Sequence, residues 1–591
     1  MKRLMKWSSV VLLVVSLLTA CGPGPISTST PEPGAVATDT VVSATPTPAV
    51  PSEAWMRGRD PLKFGGTLTL ARAWEPLSMD SLLTTYGDQA HMYISEPPWT
   101  AGPEGEFGPN GWLESIEKSS DGLVFTFHIE PDVTFHDGTA LDAEAFAWLI
   151  RKRIEDESVY SDPFLHVPDS DHIVVVDEYT VEIRQEEQSW PELPINMSDP
   201  TWAGAMRVPR AVERYGEDYG FEMAYGNGPF ALEEWVKGDH LTLVRNEDFF
   251  WAPPWAEEYA GLEEGEEYHP GPPYLEEVVL KYVPEDATRV AMLRTGEVDG
   301  IVEVPPHMVE EIENIPNVSL VGASSYEVRY IGYNTTKAPL DDERVRKALN
   351  YAIDREALVD AIYFGYAEPA YSLFCGKDLE TPNTEQMYKH DADEASALLA
   401  EAGWEDTDGD GILDKDGQPL TFSLWSSDKT EYRKLAEIAA GMWREFGVDA
   451  TLRTFDEATL RDRITAGEHE AIVLYHGWIT KSDMYNWWFS PESKWYPQES
   501  GLDTPELREL VAQTYEATTM EEVDETNDEL MNYYYGKAPL CALVWPDSLF
   551  AINDSVMNVV PRGEGWWGWM PYLYDVYRAD VYEANQARAG E

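Results

Sequence analysis

Hydrophobic and polar residues follow two periods along most of the chain, and these periods predict alternating strands and helices. Apolar residues that alternate with polar ones predict strands over 66–71, 121–129, 173–183 (a hairpin), 448–455 and 471–475. Apolar residues at helical spacing predict helices over 139–150, 344–362, 392–402 and 433–446. Gly403 and Gly447 follow the last two helices and predict their ends. Because both element types mix throughout and no repeat is evident, the pattern predicts an α/β fold.

The first twenty residues have the pattern of a secretory signal peptide. A short basic start precedes an apolar run over 10–18, which is too short to span a bilayer, since a span needs about 20 apolar residues. Residues 18–21 (Leu-Thr-Ala-Cys) resemble the lipobox of bacterial lipoproteins. We therefore expect cleavage after residue 20 and acylation of Cys21, which holds the protein on a membrane surface. The alternative is an ordinary signal peptide followed by an incidental cysteine.

The segment after Cys21 predicts a spacer between the membrane and a folded body. Residues 22–52 are rich in Pro, Thr, Ser, Ala and Val, contain no aromatic residue and carry almost no charge. Such a segment cannot bury enough apolar surface to offset chain entropy, and its prolines favour an extended form. We therefore expect a linker over 21–61 and a body at the extracytoplasmic face of the cell membrane, in the periplasm or at the cell surface.

Length and charge narrow the class of protein further. The chain has 591 residues, more than one hydrophobic core usually holds, so two or more lobes are expected. Asp and Glu number 107 against 43 Lys and Arg, and the resulting net charge of −64 excludes nucleic acid as the expected partner. The acidity serves solubility or, as an alternative hypothesis, adaptation to high salt. Cys375 and Cys541 either pair or remain free thiols, and the sequence leaves this open.

Five blocks, in this order, resemble one family. They are Phe-His-Asp-Gly-Thr at 135–139, Gly-Asn-Gly-Pro-Phe at 226–230, Met-Leu-Arg-Thr-Gly-Glu-Val-Asp at 292–299, the segment 339–355, and the helix 395–404 ending in Ala-Gly-Trp. Together with the lipobox, they resemble the extracellular solute-binding proteins of the oligopeptide, dipeptide and nickel type. These proteins are the receptor components of ABC importers.

The resemblance implies a bilobal, periplasmic-binding-protein-like α/β fold (type II, cluster C) with an extra subdomain. It implies a first lobe at 62–100, 207–332 and 537–591, the extra subdomain at 101–206, and a second lobe at 333–536. The lobes would close by a hinge motion around the solute, and the closed monomer would deliver it to permease subunits. The resemblance implies neither a catalytic activity nor a required cofactor.

The resemblance also suggests residues for the ligand site. Residues 477–483 are similar to the family segment in which Gly-Trp precedes an aspartate, and in peptide-binding members this aspartate meets the peptide α-ammonium. Asp483 and Trp478 are therefore ligand candidates, although a surface-loop acid is the alternative for Asp483. Dipeptide-type members carry an arginine where this chain has Trp425 and Ser426. These two become candidates for a longer peptide or for an oligosaccharide stacked on aromatic rings.

An acidic segment after Trp404 is a candidate calcium loop. Carboxylates alternate around glycines, as in loops that wrap oxygen ligands around calcium. The ligands would be Asp406, Asp408, Asp410, the carbonyl of Ile412, and Asp414. The twelfth position, glutamate in an EF-hand, is Gly417, so we expect either a shorter structural calcium loop or an acidic surface turn.

Other functions remain as alternatives. His136 and Asp137 could form a base and its orienting acid, but no nucleophile motif accompanies them, so a locally satisfied turn is expected. A secreted hydrolase with paired carboxylates is the alternative from the enzyme class, and a surface adhesin or chaperone is a third. The leading prediction is a lipid-anchored receptor for an oligopeptide-like solute, with an oligosaccharide receptor of the same fold as its nearest alternative.

Overall fold

The computed structural model describes most of the body of the chain. The described residues are 56, 58–76, 78–80, 90–101, 107–155, 167–186, 197, 206–221, 223–253, 255–260, 262, 267–325, 327–373, 387–477, 489, 500–516, 520–560 and 571–589. Contacts divide the chain into Met1–Pro51 and Ser52–Glu591, and all described residues belong to the second unit. Among them, no helix combines the length and the apolar character needed to cross a membrane.

The described strands are numbered here in chain order. They are β1 Thr67–Arg72, β2 Trp99–Ala101, β3 Phe107–Pro109, β4 Leu113–Lys118, β5 Val124–Ile129, β6 Ile173–Asp177, β7 Thr180–Arg184, β8 Phe230–Val236, β9 His240–Arg245, β10 Glu277–Tyr282, β11 Gly300–Ile301, β12 Val318–Ser324, β13 Glu327–Tyr333, β14 Ala367–Pro369, β15 Asp414–Lys415, β16 Gln418–Pro419, β17 Thr421–Ser427, β18 Asp449–Phe455, β19 Ala471–Gly477, β20 Leu540–Asn553, β21 Val556–Met557 and β22 Tyr577–Arg578.

The described α-helices are numbered in the same way. They are α1 His91–Ile94, α2 Ala143–Glu155, α3 Pro209–Tyr215, α4 Ala256–Tyr259, α5 Asp286–Thr295, α6 Val309–Glu313, α7 Glu343–Tyr351, α8 Arg355–Leu358, α9 Ala392–Glu401, α10 Thr430–Glu445, α11 Glu457–Thr465, α12 Pro505–Glu516, α13 Met520–Gly536 and α14 Ala579–Ala589. Short 3₁₀ turns occur at Ser170–His172, Gly216–Asp218 and Pro306–Met308, and a π-helical turn at Val359–Tyr363.

Two sheets share the long strand β20, and this strand connects the two halves of the body. The hydrogen-bonded order is β18-β17-β19-β13-β20-β11-β1-β10-β9-β8, with β12 and β14 also paired to β20. The first half of β20 pairs with β13, and its second half pairs with β12. The chain changes sheet at Ser325, whose backbone N and Oγ both donate to the Pro546 carbonyl, at 3.3 and 2.5 Å. Two antiparallel connections therefore join the halves: the middle of β20 at Pro546, and the segment between β12 and β13 at Ser325. We call this place the crossover.

The crossover differs in position from the predicted lobe boundaries. The sequence placed the boundaries between residues 332 and 333 and between 536 and 537, whereas the pairing changes sheet at about Ser325 and Pro546. The strand β13 lies wholly in the second sheet, between β19 and β20. All seven of its residues are buried, because both of its faces are covered. The predicted lobe boundaries stay predictions.

A separate four-stranded antiparallel sheet, in the order β4-β5-β7-β6, carries α2 on one face. Apolar residues alternate along β5, and every second side chain is buried. Phe125, Phe127, Phe146 and Ile183 form its core together with Trp112. This small sheet lies within the segment that was predicted as the extra subdomain.

The predicted elements largely agree with the structure, with one clear correction. The helices near 392–402 and 433–446 are present as α9 and α10, and the glycines after them have the left-handed φ values of 86° and 77°. The helix predicted over 344–362 is broken into α7, α8 and a π-helical turn. The break occurs because the Asp354 carboxylate caps a new helix by accepting from the Ala357 N–H.

Candidate functional site

The carboxyl ends of parallel strands from both sheets lie beside the crossover. In the first sheet β1 is parallel to β10 and β11, and in the second sheet β17 is parallel to β18 and β19. Ligands of open α/β sheets bind outside the carboxyl ends of such strands. Charged and aromatic side chains, some buried and some half-buried, gather here, and we name them the junction cluster: Arg72, Trp74, Glu303, Glu327, Arg329, Tyr363, Glu431, Tyr432 and Tyr475.

Glu303 is the central residue on the side of the first sheet. It follows β11 and has a φ of 59°, a left-handed conformation that is strained for a residue with a side chain. Its Oε1 accepts from Trp74 Nε1 at 2.6 Å, and the Arg72 guanidinium lies 3.8 Å from the centre of the Trp74 ring. Burial raises the pKa of Glu303, while the positive charge of Arg72 partly offsets this effect. Strain and a raised pKa together mark a functional-site candidate.

Arg329 is the central residue on the side of the second sheet. It lies two positions after Glu327 on β13, so both side chains project from the same face of the strand. The guanidinium donates to Glu327 Oε2 and to Oε1 of Glu431, which lies on α10, each at 2.8 Å. Burial alone would lower the pKa of Arg329, but Glu431, Tyr432 and Glu327 raise it well above its ordinary value. Arg329 therefore stays charged inside the protein.

Tyrosine rings surround this ion pair network. The Arg329 guanidinium lies 5.7 Å from the Tyr432 ring centre and 5.5 Å from that of Tyr475, within the range of cation–π attraction. The Tyr363 hydroxyl donates to Glu431 Oε1 at 2.5 Å. Burial raises the pKa values of Tyr363 and Tyr432, so both hydroxyls remain protonated. The cluster can therefore offer carboxylates, a guanidinium and aromatic faces to a solute.

Trp425 and Ser426, predicted as ligand residues, are core residues of the second sheet. Trp425 is 2% exposed, packs against Phe455 with a ring-centre distance of 4.8 Å, and donates from Nε1 to Ser423 Oγ at 2.9 Å. Its ring fills the space between β17 and α11, where Leu460 also packs. Ser426 is also 2% exposed, on the opposite face of β17. The ligand-stacking role predicted for Trp425 does not fit this position, because its ring has no face left for a solute.

The remaining ligand and anchor candidates lie outside the described residues. Trp478, Asp483 and the lipidation candidate Cys21 belong to this group. The strand β19 ends at Gly477, which pairs in register with Glu327 of the junction cluster. The described chain therefore ends beside the cluster, one residue before Trp478.

Only one of the two cysteines left open by the sequence is described. Cys541 is a buried free thiol on β20, and Arg355 donates to its Sγ at 3.5 Å. Burial raises the pKa of this thiol, so it is protonated and unreactive. Cys375 lies outside the described residues.

The acidic loop after Trp404 is exposed and satisfies its own backbone. One carboxylate oxygen from each of Asp406, Asp408 and Asp414 lies within 4.8 Å of the others. The Asp406 carboxylate accepts from the Gly409 and Gly411 N–H groups, at 2.7 and 3.2 Å. The Asp410 carboxylate accepts from the Ile412 N–H at 2.8 Å. Three carboxylates thus converge as a calcium loop requires, and calcium binding stays a prediction.

His136 has a structural role, as its sequence context predicted. Its Nδ1 accepts from the Gly226 N–H at 3.2 Å, and its Nε2 lies 2.9 Å from the Gly228 carbonyl. Burial lowers the pKa of His136 to about 4, so the ring is neutral and donates from Nε2. A Cβ on Gly226 or Gly228 would lie 2.2 or 2.6 Å from the Ile94 backbone, which explains the two glycines. The histidine therefore connects the segment after β5 to the segment before β8.

The junction cluster was missed by the sequence analysis. Its members come from six separate segments, and only sheet pairing brings these segments together. One local signal was present: Glu327 and Arg329 interrupt an otherwise apolar strand at alternate positions. Two charges on the same face of a buried strand indicate a paired or functional site, because lone charges are costly there.

Comparison with known proteins identifies the family. A model described as "Bacterial extracellular solute-binding proteins, family 5 Middle" matches residues 109–496. The glutathione-binding protein GsiB of Salmonella paratyphi A is 29% identical over 399 residues, which cover 66% of this chain and 70% of GsiB.

Two solved structures have the same fold. The oligopeptide-binding protein AppA from Bacillus subtilis, in complex with a nonapeptide, gives a TM-score of 0.66 at 21% identity over 88% of this chain and 99% of AppA. NikA from Brucella suis, in complex with Fe(III)-EDTA, gives a TM-score of 0.71 at 22% identity over 87% of this chain and 100% of NikA. The bilobal, periplasmic-binding-protein-like α/β fold expected from the sequence is confirmed. This chain belongs to the bacterial extracellular solute-binding proteins of family 5.

Proposed function

We propose that this protein captures an oligopeptide-like solute at the junction cluster and delivers it to the permease of an ABC importer. The observation that carries the proposal is the position of the cluster. Glu303 comes from the first sheet and Glu327 and Arg329 from the second, and the two sheets are joined at the crossover. A solute that contacts both sheets would stabilise the closed arrangement, and closure would be the signal that the permease reads.

The chemistry of the cluster suits a peptide. Carboxylates and a guanidinium can hold charged groups, and tyrosine hydroxyls can hold backbone amides. AppA is named for binding oligopeptides and GsiB for binding glutathione, so peptide-like solutes occur among the relatives. An oligosaccharide would rely on exposed aromatic faces, and Trp425, the ring expected for this purpose, is in the core.

The membrane anchor is a further part of the proposal. The lipobox-like residues 18–21 and the proline-rich linker support acylation of Cys21 and a tethered, extracytoplasmic body. Mass spectrometry of the protein purified from membranes tests this step. We expect a mature N-terminus at Cys21 that carries acyl chains, and an unmodified N-terminus would contradict the anchor without affecting the solute site.

A thermal-shift screen tests the proposed solute class. The full-length protein in detergent is heated with mixed tri- to pentapeptides, with glutathione, or with mixed oligosaccharides. A solute at about 100 times its Kd should stabilise the fold by about 2.7 kcal/mol, because it binds only the folded state. We expect this shift with peptides. A shift with oligosaccharides alone would support the alternative receptor, and conversion of the solute would support a hydrolase.

A pair of tryptophan variants locates the site. Trp478 is a ligand candidate from the family resemblance, and a large aromatic side chain that contacts a solute buries much apolar area. Trp478→Ala should therefore weaken peptide binding at least about tenfold. Trp235→Ala is the matched control, because Trp235 lies on β8 of the first sheet, where it donates to Glu75 at 2.9 Å. Equal affinities in the two variants would remove Trp478 from the site.

A further inference from the structure

One oxygen of the junction cluster is buried without a hydrogen bond. The Glu327 side chain is 3% exposed, and its Oε2 accepts from Arg329 at 2.8 Å. Among the described residues, none donates a hydrogen bond to its Oε1. A buried carboxylate oxygen without a partner is unfavourable, and such groups occur where a ligand or an ion completes the site.

The charges of the cluster are also unequal. Arg329 forms ion pairs with two carboxylates, those of Glu327 and Glu431, and Arg72 lies beside Glu303. The five charged members therefore comprise three acids and two bases. The neighbouring Arg289 is not a member: it pairs with Asp286 at 2.6 Å and donates to backbone carbonyls, and its positive charge acts on Glu303 less than that of Arg72 does. One negative charge of the cluster has no counter-charge within it.

The unbalanced acids lie on the two sides of the crossover. Glu303 follows β11 of the first sheet, and Glu327 begins β13 of the second sheet. Both segments are held against the same part of β20, since the Val304 N–H donates to the Leu549 carbonyl and the Ser325 N–H donates to the Pro546 carbonyl. In agreement with this, the negative charge of Glu327 adds to burial in raising the pKa of Glu303. A cation between them would contact both sheets at once.

We propose that the junction cluster binds a cationic side chain of the solute, a lysine ammonium or an arginine guanidinium, between Glu327 Oε1 and Glu303. The solute is then a basic peptide. This inference rests on the proposed function, and it is separate from Asp483, which was predicted to meet the α-ammonium. The cation would supply the missing partner of Glu327 and the missing charge, and it would hold the sheets in the closed arrangement.

A peptide-capture experiment tests this subsite. The full-length protein in detergent is equilibrated with a random library of tri- to pentapeptides, and the retained peptides are identified by mass spectrometry. We expect the retained amount of a peptide with lysine or arginine to exceed that of its glutamine counterpart by at least about tenfold, because the counterpart lacks a charge-assisted hydrogen bond. Titration calorimetry of one lysine peptide and its glutamine counterpart then gives the ratio of Kd values.

Variants separate the subsite from the wider function. Glu327→Gln keeps the shape and removes the charge, and it should reduce the basic preference to within about twofold while peptides are still retained. If thermal melting shows that this variant does not fold, Glu303→Gln should give the same reduction. Glu509→Gln, an exposed change on α12, is the control and should keep the full preference.

The outcomes distinguish the two proposals. Retained peptides without a basic preference, or a full preference in both Glu327→Gln and Glu303→Gln, would overturn the cationic subsite and leave the peptide receptor intact. Retention of no peptide would overturn the proposed solute class and the subsite with it.

Discussion

Two groups of acidic residues in this protein have similar composition and opposite surroundings. The junction cluster holds three glutamates beside two buried arginines: Glu327 is 2% exposed, and Glu303 and Glu431 are half-buried. The loop that contains Asp406 and Asp408 is exposed, and its carboxylates accept from the N–H groups of the loop itself. Burial, and not the number of carboxylates, therefore separates a candidate binding site from an acidic surface turn.

The difference follows from desolvation. A buried carboxylate loses its hydration and needs a cation or several hydrogen-bond donors. Removal of one of these partners is therefore strongly destabilising. An exposed carboxylate keeps its water, and its contacts contribute little. The same substitution should therefore have large effects in the junction cluster and small effects at the surface.

Loss of Arg329 should have the largest effect. Arg329→Met leaves Glu327 and Glu431 without their shared cation, and breaking a buried pair in this way costs about 3–5 kcal/mol. Urea unfolding, followed by fluorescence, measures the free energy of unfolding. The matched control is Arg508→Met, since Arg508 is 66% exposed in its pair with Asp503, and such pairs contribute about 0.2–1 kcal/mol. Equal losses in both variants would contradict the importance given to burial.

The pH dependence of Glu303 gives the next effect. Because burial raises the pKa of Glu303 above its ordinary 4.5, the folded protein retains a proton that the unfolded chain has released. The free energy of unfolding therefore falls as the pH rises from about 4.5 through the folded pKa. Below about pH 4.5 the carboxyl is protonated in both states, and this loss is absent. Glu303→Gln removes this loss. The Tm of the variant minus that of the wild type should rise with pH over this window, and a constant difference would contradict the raised pKa.

The fold could be predicted from the sequence because its signals are local. The alternation along β5 and the glycine after α9 each depend on a few neighbouring residues. The helix predicted over 344–362 failed for a similarly local reason. Its apolar stripe continues past residue 353, but the Asp354 side chain accepts the Ala357 N–H and starts a new helix there. Capping by a single carboxylate outweighed the periodicity.

The site could be predicted only in part, because its residues are distant in sequence. The acidic loop was found because its aspartates follow one another, whereas Glu303 and Glu431 are separated by more than a hundred residues. The pairing of β13 with β20 joins the segments, and no local pattern specifies that pairing. Trp425 was misplaced for the opposite reason. It stands where dipeptide-type members carry an arginine, which suggested a ligand role, but the alternation of side chains along β17 turns its ring towards α11.

Calcium should have the smallest effect, and it tests whether the exposed loop is more than a turn. Calcium at about 5 mM, roughly 5 to 50 times the Kd range of ~10⁻⁴–10⁻³ M seen in extracellular modules, should stabilise the wild type by about 1–2 kcal/mol. Asp408→Asn removes one of the three converging carboxylates and should reduce this gain. Magnesium serves as the control, because it prefers a smaller octahedral site with retained waters. Identical melting curves with and without calcium would leave the loop as an acidic turn, since its carboxylates already satisfy the backbone.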